Sequence, residues 1–140
     1  MQTDRPKLVL FVCVGNSCRS QMAEGFCNHY GRGKVVAFSA GTQPAGRVHP
    51  LAIEAMREVG IDISHHTSKG VWEFDITQFD AVVSLCDART DELCPATYMG
   101  IQDHWNIPDP IGLPMDEFRR VRATIETRVK DLIQRLLENG

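Results

Sequence analysis

Leu8-Val9-Leu10-Phe11-Val12-Cys13-Val14-Gly15-Asn16-Ser17-Cys18-Arg19-Ser20-Gln21-Met22-Ala23-Glu24-Gly25-Phe26 opens on an unbroken apolar run and crosses small, polar residues. It then continues into residues that favour a helix. Leu8 to Val12 lacks the alternation of a half-exposed strand, so it reads as a strand buried on both faces, as in a parallel sheet covered by helices. The loop that follows, Cys13 to Ser20, leads into a helix from Gln21 to Tyr30, which Gly31-Arg32-Gly33 stops.

Working outward, Val35 to Ala40 is a second strand, followed by a loop rich in Gly and Pro from Gly41 to Gly46. His49-Pro50 opens a helix over Leu51 to Val59, with Pro in its first turn and Gly60 ending it. Thr67 or Ser68 is the expected cap of a short helix near Val71 to Phe74. Phe79 to Leu85 reads as a third strand ending at Cys86, and Cys86 to Cys94 as a charged segment of weak helical character. Ile101 to Ile107 is a short fourth strand, and Pro108-Asp109-Pro110 is a loop. Phe118, Val121, Ile125, Val129, Leu132 and Leu136 recur at intervals of three and four, which predicts an amphipathic C-terminal helix packed on the sheet. Strands alternating with helices over 140 residues predict one α/β domain, residues 1–140, with right-handed crossovers.

Composition narrows the function. Hydrophobic residues make up 43% and charged residues 24%, an ordinary globular balance. The net charge of −3 argues against a nucleic-acid binder, which shows a basic excess. The longest apolar run, Leu8 to Val14, is too short to cross a bilayer. Arg5 and Lys7 precede that run, but no small-x-small cleavage site follows it, so a cytoplasmic protein is expected. There the five cysteines read as free, catalytic or metal-bound thiols and not as structural staples. A monomer is the expectation for this size and charge.

Cys13 and Arg19 are separated by five residues in a loop between a buried strand and a helix. A helix start presents unsatisfied N–H groups and a partial positive charge. A tight loop spanning Val14, Gly15, Asn16, Ser17, Cys18, Arg19 and Ser20 can wrap its N–H groups around a tetrahedral oxyanion. Arg19 can grip two of the anion's oxygens with its planar fork. The same field favours a thiolate at Cys13, and the Ser20 hydroxyl can donate to that sulfur. The bland alternative is a buried free cysteine closing a strand. Asp109 sits between two prolines, placed to protonate a leaving oxygen as general acid; its bland alternative is a turn-forming Asp. His65-His66 matches no zinc spacing, so no metal and no cofactor are expected.

The run Cys13 to Gly25 resembles the phosphate-loop signature of the thioredoxin-coupled arsenate reductases, which share a fold with the low-molecular-weight protein tyrosine phosphatases. Ser39-Ala40-Gly41, His49-Pro50, Gly60-Ile61-Asp62-Ile63-Ser64, Leu85-Cys86, Cys94-Pro95 and Trp105-Asn106-Ile107-Pro108-Asp109-Pro110 extend the likeness over nearly the whole chain. Phosphatases of this fold usually carry Pro where Gln21 stands, and an aromatic where Ile111 stands. The resemblance implies a three-layer sandwich whose four-stranded parallel sheet has the order 2-1-3-4, with helices on both faces.

It also implies a thiol relay. Cys13 attacks arsenate, with Asp109 helping an oxygen leave as water. Cys86 then attacks Cys13 and arsenite departs. Cys94 moves the disulfide to Cys86–Cys94, and thioredoxin reduces it; glutaredoxin with glutathione is the other candidate reductant. In a sheet of order 2-1-3-4, Cys13 and Cys86 end adjacent strands, about 4.8 Å apart, within disulfide reach. Were the segment from Cys86 to Cys94 helical, eight steps would separate their Cα atoms by about 12 Å. That exceeds disulfide reach, so the segment is expected to unwind on oxidation. Seven residues separate Cys86 and Cys94 here, where the best-known family members have six.

Cys18 could instead pair locally with Cys13, and Cys27 reads as core packing. Some relatives hold potassium at positions matching Asn16, Glu24, Ser39 and Thr67, with an Asp where this chain has Lys69. That lysine is expected to take the cation's place and pair with Glu24. The competing readings are phosphomonoester hydrolysis through a phosphocysteine, which needs only Cys13, Arg19 and Asp109, and a non-catalytic redox sensor built on Cys13.

Overall fold

The computed structural model describes residues 5–85, 94 and 97–138. Four parallel strands form one sheet in the order β2-β1-β3-β4. They are β1 (Lys7–Cys13), β2 (Val35–Gly41), β3 (Ala81–Ser84) and β4 (Ile101–His104). The ladder runs Val9↔Ala37, Phe11↔Ser39 and Cys13↔Gly41 on one side of β1, and Val9↔Ala81 to Val12↔Ser84 on the other. β4 closes the far edge through Ala81↔Ile101 to Ser84↔His104. The apolar run of β1 sits inside the sheet, between β2 and β3, with no solvent-facing residue from Val9 to Val12.

Alternation along the strands sends side chains to two cores. Val9, Phe11, Ala37, Ala81 and Val83 face α1 (Arg19–Tyr30), α2 (Pro50–Arg57) and α3 (Met115–Glu138). Leu10, Val12, Ala40 and Val82 face Phe79, Cys94, Val71, Phe74, Ile76 and Tyr98. Among the described residues, the α-helices pack on one face, and two short 3₁₀ helices, Val71–Glu73 and Ile76–Gln78, lie on the other. The C-terminal periodicity is realised in α3, whose buried stripe is Phe118, Val121, Ile125, Val129, Leu132, Ile133 and Leu136.

Several boundaries move, each for a local reason. Helix α1 begins at Arg19, two residues before the expected Gln21, and Cys18 takes the N-cap position without a side-chain capping bond. Helix α2 ends at Arg57 because the chain turns through Glu58 and Val59 toward Gly60, whose φ of 83° suits glycine. Neither Thr67 nor Ser68 caps the first 3₁₀ helix. Gly70 precedes it, and the Glu73 carboxylate accepts from the Gly70 N–H at 3.0 Å. The β4 ladder stops at His104, after which Trp105 N–H still donates to Ser84 O at 2.8 Å. Among the described residues, no helix is long and apolar enough to cross a membrane.

Candidate active site

Cys13 ends β1 at the carboxyl edge of the sheet, and α1 starts six residues later, so the loop between them lies over a helix N-terminus. A second loop braces it from outside. Thr42 N–H donates to Cys13 O at 3.1 Å, Gln43 N–H to Val14 O at 2.8 Å, Ala45 N–H to Gly15 O at 2.8 Å and His49 N–H to Ser17 O at 2.7 Å. Ser68 Oγ adds a bond to Gly15 O at 3.0 Å. The carbonyls are thereby turned outward. Among the described residues, the N–H groups of Val14 to Cys18 donate to no other backbone group, which leaves them for an oxyanion.

Two backbone features permit this shape. Asn16 has φ of 49°, the left-handed region that Asn tolerates better than most residues. Gly41 lies so close that a Cβ there would meet Val14 O at 2.5 Å and Asn16 N at 3.0 Å.

The Cys13 sulfur is nearly buried and lies 2.8 Å from Ser20 Oγ. The direction of that hydrogen bond follows from its neighbours. Lys69 N–H donates to Asn16 Oδ1 at 2.7 Å, which turns Asn16 Nδ2 toward Ser20 Oγ at 2.9 Å. The serine oxygen accepts there, so its own hydrogen is directed to Cys13 Sγ. Arg19 closes the mouth: Nη1 donates to Leu85 O and Ile107 O, and Nη2 lies 3.8 Å from Asp109 Oδ2. The Asp109 side chain is half exposed, and its Oδ1 accepts from Ile111 N–H at 3.0 Å. A carboxyl group thus faces the mouth, opposite the sulfur at the floor.

Residues 8–140 match the family of low molecular weight phosphotyrosine protein phosphatases. A glutaredoxin arsenate reductase of Synechocystis sp. is 43% identical over 130 residues, spanning 93% of this chain and 98% of that protein. A solved arsenate reductase in the phosphate binding state has a TM-score of 0.84 at 44% identity, over 92% of this chain and 98% of that one. A thioredoxin-dependent arsenate reductase of Corynebacterium glutamicum has a TM-score of 0.80 at 25% identity, over 99% of this chain and 66% of that one. The chain belongs to the low molecular weight phosphotyrosine protein phosphatase family, in its arsenate reductase branch.

Of the residues that family membership draws attention to, the structure brings Cys13, Val14 to Cys18, Arg19, Ser20 and Asp109 to one place. Cys86 lies outside the described residues; Leu85, just before it, accepts from Arg19. Cys94 is on the sheet face away from the α-helices, buried among Leu10, Val12, Phe79 and Val82, and burial raises its thiol pKa. Cys18 is buried beside the cradle. Burial pushes its thiol far up, with Asp109 and Cys13 adding to the effect and Arg19 opposing it, so it stays protonated. Cys27 is core packing, with burial lifting its thiol to about 12.

The polar network beneath the loop is where the residue reading falls short. Gln21 is fully buried; its Nε2 donates to Asn16 O at 3.0 Å and Thr67 O at 2.9 Å. Its Oε1 therefore faces His66 Nδ1 at 3.0 Å, which makes Nδ1 the protonated ring nitrogen. His66 Nε2 lies 3.9 Å from Glu24 Oε2. That contact is not an ion pair at neutral pH, because burial, reinforced by His65 and Lys69, lowers the His66 pKa to about 4. Burial raises Glu24, against the hydrogen bond it receives from Ser39. The Lys69 ammonium does not settle on Glu24 as expected. It donates to Thr67 O at 2.6 Å and to Thr67 Oγ1 at 3.3 Å, and it reaches Glu24 only through space. The sequence signal for this network was the Gln at position 21, where the phosphatase pattern has Pro.

Proposed function

We propose that this protein reduces arsenate to arsenite through a thiol relay, in the cytoplasm, where thiols are kept reduced. The single observation that carries the proposal is the Cys13 sulfur, 2.8 Å from a serine hydroxyl turned toward it, at the floor of a loop with free N–H groups. Arsenate is a tetrahedral oxyanion, and the cradle, with Arg19, offers donors for its oxygens. Cys13 thiolate forms an S–As bond while one As–O bond breaks, and Asp109 supplies the proton that lets that oxygen leave as water. Cys86 then attacks Cys13 Sγ. The S–As electron pair stays on arsenic, which departs as arsenite, and a Cys13–Cys86 disulfide remains. Cys94 attacks Cys86 in turn, freeing Cys13, and an external dithiol restores the pair.

We take thioredoxin as that dithiol, in line with the Corynebacterium relative's name; the Synechocystis relative's name supports glutaredoxin as the alternative. Cys94 must leave an apolar pocket to act, so the segment that carries it has to rearrange when the disulfide forms.

Phosphomonoester hydrolysis is the second reading, because Cys13, Arg19 and Asp109 suffice for it and the family takes its name from phosphatases. One assay separates the two. NADPH oxidation is followed with arsenate, thioredoxin and thioredoxin reductase, for the parent and for Cys86→Ser. The relay requires sustained turnover by the parent and none by Cys86→Ser, while aryl phosphate hydrolysis largely survives the substitution. Sustained arsenate turnover by Cys86→Ser would refute the relay.

A further inference from the structure

Strands β3 and β4 pair as far as Ser84↔His104, and the last backbone rung is Trp105 N–H to Ser84 O. Beyond it the two chains part toward different tasks. Leu85 leads into Cys86, and Ile107 leads through Pro108 to Asp109. Leu85 and Ile107 are both buried, so their carbonyl oxygens need a donor. Both find the same one: Arg19 Nη1 donates to Leu85 O at 2.8 Å and to Ile107 O at 2.9 Å. No backbone pairing joins these two residues, yet they are held together through one nitrogen.

We propose that Arg19 is a positioning residue as well as an oxyanion ligand: its Nη1 is the terminal rung between β3 and β4, and it fixes the chain at Leu85 and at Ile107, which leads to Asp109. The inference deepens the proposed arsenate reduction and takes the roles of Asp109 and Cys86 from it; the rung itself stands on the geometry alone.

A guanidinium suits this double task. Its terminal nitrogens point in different directions from one rigid plane. Both Nη1 hydrogens are spent on the two carbonyls. Nη2 lies 3.8 Å from Asp109 Oδ2, too far for a hydrogen bond, and so Nε and Nη2 remain as donors for an oxyanion. An anion held on that edge is referenced to the same plane as the chain at Leu85 and at Ile107. Lysine carries one nitrogen on a flexible stem and cannot hold both carbonyls and an anion.

The test is amide hydrogen exchange on the phosphate-free protein. In Arg19→Lys, exchange at the Leu85, Trp105 and Ile111 amides should rise about tenfold or more, the consequence of losing charge-assisted bonds, while the β1–β2 amides stay protected and report an intact fold. Asp109→Asn removes the ion contact but keeps the Nη1 bonds, so Leu85 and Trp105 should exchange as in the parent. Parent-like exchange at Leu85 and Trp105 in Arg19→Lys would overturn the rung. Should that variant not fold, nuclear magnetic resonance of the parent decides. Separate, slowly exchanging Nη1 and Nη2 signals, with Nη1 coupled to the Leu85 and Ile107 carbonyl carbons, are the expected result. A single averaged signal is the contrary one. Absence of arsenate turnover by the parent would instead remove the functional reading and leave the rung in place.

Discussion

At the scale of single residues, Asn16 organises the surroundings of the Cys13 sulfur without touching it. Its left-handed backbone turns the loop, and its side chain is locked by Lys69 N–H at one end and Ser20 Oγ at the other. Ser20 is thereby left with one hydrogen and one place to put it. A hydrogen bond to a charged partner is worth about 1.5–3 kcal/mol. Ser20→Ala should therefore slow alkylation of Cys13 at neutral pH by about tenfold or more, with the fold retained by circular dichroism. An unchanged alkylation rate would show that the serine hydroxyl does nothing for the sulfur. Cys18, beside Cys13 in the same loop, is held protonated by burial, so alkylating agents should label Cys13 well before Cys18 in peptide mapping. Ser20 was legible as a donor in the sequence. The Asn16–Lys69 link was not, because it joins residues 53 positions apart.

At the scale of elements, the site exists because β1 ends where α1 begins, with a neighbouring loop pressed against the turn. Gly41, the last residue of β2, sets how closely that loop approaches. Gly41→Ala would place a methyl 2.5 Å from Val14 O, and the backbone there must shift. Overpacking of this kind costs about 1–3 kcal/mol. Phosphate affinity measured by calorimetry should drop alongside thermal stability, and wild-type phosphate affinity in Gly41→Ala would sink this account. The strands and the long helix α3 were readable because their apolar periodicity is strong, as at Phe118, Val121, Ile125 and Val129. Their ends were not. The start of α1 moved to Arg19 because Ser20 and Gln21 spend their side chains on the cradle and not on a cap. Which sheet face each described helix covers is likewise invisible to local pattern, since a helix only declares that it has an apolar side.

At the scale of the whole molecule, acid should weaken the fold through His66. Its pKa is about 4 in the native state against 6.5 ordinarily, so the unfolded chain binds the proton first as pH falls. The contribution of His66 is fully present above pH 6.5 and is lost as pH drops through about 4. Around the ring, His65 and Lys69 oppose its charging and Asp62 favours it. Glu24, raised by burial, acts with the opposite sign and loses its contribution as pH rises. Urea denaturation of the parent and of His66→Asn across this window should show their stability difference shrinking toward low pH. A difference constant with pH would refute the assignment.

The ammonium of Lys69, where some relatives have an Asp, donates to Thr67 O and acts on Glu24 through space. Arsenate turnover in potassium and sodium salts at equal ionic strength should therefore be the same, and clear potassium activation would contradict the role given to Lys69.

Local pattern alone determined the buried first strand, the loop between it and the first helix, the amphipathic last helix and the candidate nucleophile, arginine and acid. Each of those signals lies within a few residues of sequence, where side-chain type and spacing dictate backbone shape. The tertiary structure alone decided which hydrogen each polar atom gives and receives: Ser20 toward Cys13, Gln21 between Asn16 and His66, Arg19 across the ends of β3 and β4. Those choices depend on backbone carbonyls and on partners from distant parts of the chain, and a carbonyl oxygen looks the same in every residue.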